Sequence, residues 1–229
     1  MLDKTTEKEI DPYDYKYWVF DLDNTLYPHE VNLFSQVDHK MGLYIQEKFD
    51  VSYEEAKKRQ KQYFTHHGTT LRGLMSEHNI DPYGYLDFVH NVDFSGLNKD
   101  PELRKSINKL PGEKFIYTNA STDYAMNVLD QIGLNGCFKD FFDIHDADFN
   151  PKPDIRSYHK MIEKFQIDPN HAIMFEDIAC NLNPASELGM RTVWVRTETD
   201  WSTKGLDHEK IDHITTDLSG WLGYLTQNL

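Results

Sequence analysis

The 229-residue chain predicts an α/β fold, a doubly wound parallel sheet with an all-helical segment inserted after its first strand. Three observations carry that expectation. Short continuous apolar runs end abruptly at polar residues, as strands buried on both faces of a parallel sheet do. From about residue 114 onward these runs alternate with helical patterns, the order of a sheet covered by helices. Between the first and second runs, Val31 to Lys109 reads only as helix, far longer than the crossover helix of about a dozen residues that joins two parallel strands.

The first strand is Tyr17-Trp18-Val19-Phe20, closed by Asp21. The helical stretch opens with Leu33, Val37, Met41, Leu43, Tyr44 and Phe49, and Ser52-x-x-Glu55 is a capping box for a second helix. Asp100-Pro101 starts a helix that leads back to the sheet. Phe115-Ile116-Tyr117 is the next strand, and Asp123 to Ile132 is a helix capped by Ser121 or Thr122 and stopped by Gly133. Phe141 to Ile144 is a weaker strand. Ile155 to Phe165 repeats apolar residues at helical spacing; Ala172 to Phe175 and Thr192 to Val195 are further strands, and the tail from Asp217 closes with a short helix. The expected division is residues 1–28 and 110–229 as the core and 29–109 as an inserted helical cap.

Composition narrows the function. A formal net charge of −14 repels phosphodiester backbones and anionic lipid, which argues against a nucleic-acid polymer or membrane as partner. No apolar run approaches the roughly 18 to 20 residues that span a bilayer, and the charged N-terminus holds no secretory signal, so a cytoplasmic address is expected. Cys137 and Cys180 lack any CxxC spacing and indicate neither zinc nor a disulfide framework.

The chemistry concentrates where strands end. Asp21 and Asp23 stand two residues apart after the first strand; a carboxylate there can attack phosphorus while its neighbour protonates the leaving oxygen and later activates water. Thr118 and Asn119 follow the second core strand, Lys152 lies in Pro151-Lys152-Pro153-Asp154, and Glu176-Asp177 follow Ala172–Phe175. A hydroxyl and helix-start amides hold phosphate oxygens, a lysine neutralises developing charge, and paired acids hold a divalent cation. Taken singly, each residue also reads as a turn, a helix cap or a loop charge. Delivered from separate loops to one edge of one sheet, they make a phosphoryl-transfer site for a small phosphorylated metabolite.

In this order the motifs resemble those of the haloacid dehalogenase (HAD) superfamily of phosphohydrolases, from about Tyr17 to Val195. The resemblance implies a Rossmann-like core with a C1-type cap. It makes Asp21 the nucleophile and Asp23 the general acid/base, and puts Thr118, Asn119 and Lys152 on the phosphoryl group. Mg²⁺ would be held by Asp21, the backbone carbonyl of Asp23, Asp177 and Glu176, and Asn24 to Pro28 would form a mobile turn. Many relatives carry a further acid where Asn181 stands here, and the Glu176-Asp177 pair can supply that charge. DLDNTLYP, Gly68-Thr69-Thr70-Leu71-Arg72-Gly73-Leu74 and the FED of the fourth motif look like the pyrimidine 5'-nucleotidase subgroup, which implies a nucleoside 5'-monophosphate. The alternatives are a sugar-phosphate phosphatase or phosphomutase, or a phospholigand-binding protein without turnover. Thr69, Thr70 and Arg72 have two readings: substrate contacts from the cap, or a helix junction with Gly68 as the stop, a Thr as the next cap and a solvated Arg72. His29, His66, His67, His90 and Asp93 read as ordinary surface or core residues.

Overall fold

The computed structural model describes residues 10–229; the first nine residues, most of the charged N-terminal stretch, lie outside it. Six strands form one sheet: β1 (Tyr17–Phe20), β2 (Glu113–Tyr117), β3 (Asp140–Phe142), β4 (Ala172–Glu176), β5 (Arg191–Val195) and β6 (His213–Thr215), in the order β3-β2-β1-β4-β5-β6 with every pair parallel. The strand order reverses direction between β1 and β4, the crevice beyond which ligands bind in such sheets.

Side-chain alternation along the strands explains the layers. Trp18, Phe20, Ile116, Ile173, Phe175 and Val193 face one apolar cluster, and Val19, Phe115, Tyr117, Met174 and Trp194 face the other. The first is covered by α5 (Pro101–Lys109), α6 (Thr122–Gln131) and α9 (Leu218–Leu225), through Leu103, Ile107, Val128, Leu129, Leu218 and Leu222. The second is covered by α7 (Ile155–Phe165) and α8 (Ala179–Glu187), through Tyr158, Met161, Phe165, Leu182 and Ala185. The doubly wound α/β architecture is therefore as expected.

Between β1 and β2 come α1 (Leu33–Phe49), α2 (Tyr53–His67), α3 (Thr70–His78), α4 (Pro82–Val89) and then α5. The first four pack on one another, whereas α5 packs against α9 beside the sheet. A Cβ added at Gly73 would lie 2.5 Å from the Tyr63 Cβ, so only glycine lets α3 approach α2 this closely. The caps follow the sequence: Ser52 accepts from the Glu55 amide, Asp100 from Leu103 and Asp217 from Gly220, while Ser121, not Thr122, caps α6.

Two elements differ from expectation. The third strand ends at Phe142, two residues short of the predicted end at Ile144, because Asp143 turns away and its carboxylate accepts from the Thr122 amide and hydroxyl at the start of α6, where a negative charge is favoured. The edge strand β6 was not anticipated; three residues are too few for a periodic signal. Cys137 and Cys180 are free thiols. Among the described residues no helix is long and apolar enough to cross a membrane.

Candidate active site

Strand register assembles the site. Phe20 of β1 pairs with Ile116 of β2 and with Phe175 of β4, so the residues that follow, Asp21, Tyr117-Thr118 and Glu176-Asp177, emerge at one level of the sheet. The Asp21 amide donates to the Phe175 carbonyl at 3.0 Å, extending the ladder one step past the strand. Asn24 then takes a left-handed conformation with φ 58°, which Asn tolerates better than most residues, and turns the chain off the sheet.

Lys152 is the hub. Its ammonium, 3% exposed as a residue, donates to Asp21 Oδ1 at 2.7 Å, to Glu176 Oε2 at 2.6 Å and to the Tyr117 carbonyl at 2.9 Å. Burial alone would push its pKa down, but the two carboxylates outweigh that and hold it raised, hence charged. Asn119 fixes the loop that delivers it: its Oδ1 accepts from the Lys152 amide at 2.8 Å and its Nδ2 donates to the Lys152 carbonyl at 3.4 Å. The Asn119 side chain is thus committed to positioning Lys152. Thr118 is buried, and its Oγ1 accepts from the Ala120 amide at 3.0 Å.

Asp21, Glu176 and Asp177 offer carboxylate oxygens within 4.8 Å of one another, all from buried residues. Burial, and next to it the Glu176 charge, push both Asp21 and Asp177 upward. One ammonium cannot neutralise three carboxylates, and Asp177 Oδ2 is buried without any hydrogen-bond partner. An orphaned hard oxygen in an anionic nest fits a divalent cation such as Mg²⁺. Asn181 is buried beside this group and adds a neutral carbonyl where an acid would add charge.

The Asp23 carboxylate stands apart from that trio. Its Oδ1 accepts hydrogen bonds from the hydroxyls of both Tyr27 and Tyr124, the second at 2.8 Å. Burial raises its pKa, with the two phenols opposing. Both Asp21 oxygens are also held, Oδ2 accepting from Thr25 Oγ1 at 2.9 Å. Neither tyrosine was singled out from sequence for this contact. The available signals were spacing ones: Tyr27 lies one helical turn past Asp23, and Tyr124 falls in the first turn of the helix that follows Thr118-Asn119.

Above these groups opens a cavity of about 850 Å³, walled by both the sheet edge and the insertion. Thr69 and Thr70 line it, and Thr69 also caps α3 by accepting from the Arg72 amide at 3.2 Å, with Gly68 ending α2 at φ 85°. The junction reading is met, and the threonines still face the cavity. Arg72 is engaged by an acid of the core. Its guanidinium, outside the cavity lining, donates to Asp154 Oδ2 at 3.1 Å, because the Asp154 carboxylate at the start of α7 is the nearby partner, and it straps α3 to the loop carrying Lys152. His90 stacks on Tyr124 at 4.5 Å between ring centroids and pairs with Ser121 Oγ at 3.0 Å, a packed and hydrogen-bonded histidine.

Known proteins resemble this chain in sequence and in fold. A glyceraldehyde 3-phosphate phosphatase of Pyrococcus furiosus is 27% identical over 217 residues, covering 87% of this chain and 88% of its own. A HAD phosphatase of Thermococcus onnurineus superposes with a TM-score of 0.62 at 18% identity, over 92% of this chain and 97% of that one. The L-2-haloacid dehalogenase of Xanthobacter autotrophicus, with chloropropionic acid covalently bound, gives 0.56 at 15% identity, over 94% and 99%; at such identities these two likenesses are of fold. Residues 15–181 match the family described as haloacid dehalogenase-like hydrolase, and with that match spanning most of the length the chain belongs to this hydrolase family.

Proposed function

We propose that the protein is a divalent-metal-dependent phosphomonoesterase working through an aspartyl-phosphate, with residues 29–109 as a C1-type cap over a core of residues 1–28 and 110–229. The observation that carries this reading is the buried set Asp21, Lys152, Glu176 and Asp177 with Asp23 hydrogen-bonded beside it. An Asp21 carboxylate oxygen forms the bond to phosphorus as the ester P–O bond breaks, and Asp23 gives its proton to the departing alkoxide. Asp23, now a carboxylate, takes a proton from water, whose oxygen attacks phosphorus, releases phosphate and restores Asp21. Tyr27 and Tyr124 occupy Oδ1 of Asp23 and leave Oδ2 for that proton. Thr118 and Lys152 bind the phosphoryl oxygens. Mg²⁺, held by Asp21, Glu176, Asp177 and the Asp23 carbonyl, would supply charge neutralisation between the substrate dianion and the acids.

The same reading takes a nucleoside 5'-monophosphate as substrate. Its support is the resemblance to pyrimidine 5'-nucleotidases together with a cavity whose volume suits a ligand of drug-like size and whose walls include Phe34, Phe64, Tyr85 and Trp201. A three-carbon sugar phosphate is the second reading, favoured by the substrate named for the Pyrococcus furiosus relative. A phosphate-release screen over nucleotides, sugar phosphates and p-nitrophenyl phosphate, with Mg²⁺ and with EDTA, tests both. Metal-dependent release led by UMP or CMP is expected. Release led by sugar phosphates moves the assignment to the second reading, and no release from any ester refutes the phosphatase.

A further inference from the structure

The cavity has two ends of opposite character. At its floor Asp21, Asp23, Lys152 and Glu176 are held by side-chain hydrogen bonds, apart from the orphaned Oδ2 of Asp177. At its mouth stand Lys58, Lys61 and Lys204, all exposed, and among the described residues none of the three forms an ion pair or a side-chain hydrogen bond, whereas their neighbour Lys57 is tied to Asp38 at 2.6 Å. In a chain of net charge −14, a cluster of cations without acid partners is a local reversal of charge. The cations come from both sides of the opening. On α2, Lys57, Lys61 and Phe64 fall at helical spacing on one face. Lys204 reaches across from the loop after β5, its ammonium 3.7 Å from the Phe64 ring centroid, and Phe34 and Trp201 meet alongside at 6.0 Å. Between mouth and floor the wall is apolar, with Val37, Met41, Leu71, Leu86 and Val89.

We propose that this lysine-lined mouth is a subsite for a second anionic group on the leaving portion of the substrate. The inference rests on the phosphomonoesterase reading above and narrows its substrate class to a two-headed ester: a phosphate at Asp21, an apolar middle along the wall, and a carboxylate or second phosphate at Lys58, Lys61 and Lys204. An anion there also bridges α2 of the insertion to the loop carrying Lys204, so binding draws the two sides of the mouth together. Single exposed ion pairs are weak; three lysines lining one opening can act on one anion jointly. Lysines that merely steer phosphate inward would help every ester alike, which makes discrimination between matched esters the deciding quantity.

The test compares alkyl phosphates with ω-carboxyalkyl phosphates of equal carbon number, from about three to ten carbons. The carboxylated member is expected to gain about tenfold in kcat/KM once the chain is long enough to reach the mouth, mostly through KM. The gain should shrink to about threefold or less in roughly 0.5 M salt, where exposed charges are screened, and approach unity in the triple variant Lys58→Gln/Lys61→Gln/Lys204→Gln. Equal rates for both members at every length, or a preference untouched by the triple variant, overturn the subsite while leaving the phosphatase standing. No phosphate from any ester, p-nitrophenyl phosphate included, removes the phosphatase reading and the subsite with it.

Discussion

The floor and the wall of the cavity are held in different ways. On the floor, apart from the orphaned Asp177 Oδ2, the groups are tied by named partners: Lys152 to two carboxylates and a carbonyl, Asp21 to Thr25 and Lys152, Asp23 to two phenols. On the wall, apolar side chains of α1, α3 and α4 meet lysine tips without acid partners. Phosphoryl chemistry needs charges fixed before the substrate arrives, because reorganising them during the reaction costs rate. Selection of a leaving group needs shape and a few polar contacts, and these can change without disturbing the charges below. The comparison therefore predicts that floor substitutions lower turnover on all esters, and that wall substitutions redistribute it among them.

The strongest break comes from Asp21→Asn, which keeps size and removes the proposed nucleophile. Turnover should fall by about 10⁴-fold or more with the circular dichroism spectrum unchanged. Activity within tenfold of the parent would end the covalent mechanism.

Lys152→Ala should cost about 10² to 10³-fold on every substrate alike. It also leaves Asp21 and Glu176 buried without their ammonium, so stability in the metal-free protein should drop by about 3–5 kcal/mol in urea unfolding. A fall confined to some substrates would move Lys152 to the wall side of the comparison.

Tyr124→Phe probes the floor where it meets the wall. Losing one hydroxyl from Asp23 should lower kcat by about tenfold on alkyl phosphates, with KM little changed and a smaller loss on p-nitrophenyl phosphate, whose leaving group needs less protonation. A KM effect alone would make Tyr124 a wall residue.

His90 is the smallest and most specific case. Burial, and after it His145, hold its pKa down to about 4 from 6.5. The unfolded chain therefore takes up the proton first: the contribution of His90 to stability is whole above pH 6.5 and is lost as the pH falls through that window toward about 4. The melting temperature of His90→Gln should fall less steeply than the parent's between those values, by a few degrees. Parallel curves would show that His90 titrates as it does in the unfolded chain.

Legibility in the sequence follows the same division. Asp21, Asp23, Lys152, Glu176 and Asp177 could be picked out because each sits just past a continuous apolar run or in a short Pro-flanked loop, where the backbone leaves the sheet and chain position fixes spatial position. The Tyr124 hydroxyl could not, since a tyrosine inside an amphipathic helix has the same spacing whether it faces core or site. The Arg72 guanidinium pairs with an acid 82 positions away, a partner that local spacing does not reveal. The lysines of the mouth lie on α2 and, about 140 positions later, in the loop after β5, and only the packing of the insertion against that loop brings them to one opening. The end of strand β3 was placed two residues too far because Asp143 serves helix α6 rather than the sheet.

The central claim is a phosphoryl group carried by Asp21, and the direct measurement is to trap it. In Asp23→Asn the first step on p-nitrophenyl phosphate proceeds, since its leaving group needs little protonation, while the second lacks the base that activates water. Rapid mixing should give a burst of about one p-nitrophenolate per protein, and peptide mass analysis under acid quench should find the phosphate on Asp21. A variant with no burst and no phosphorylated peptide, or with the phosphate on another residue, would contradict the account.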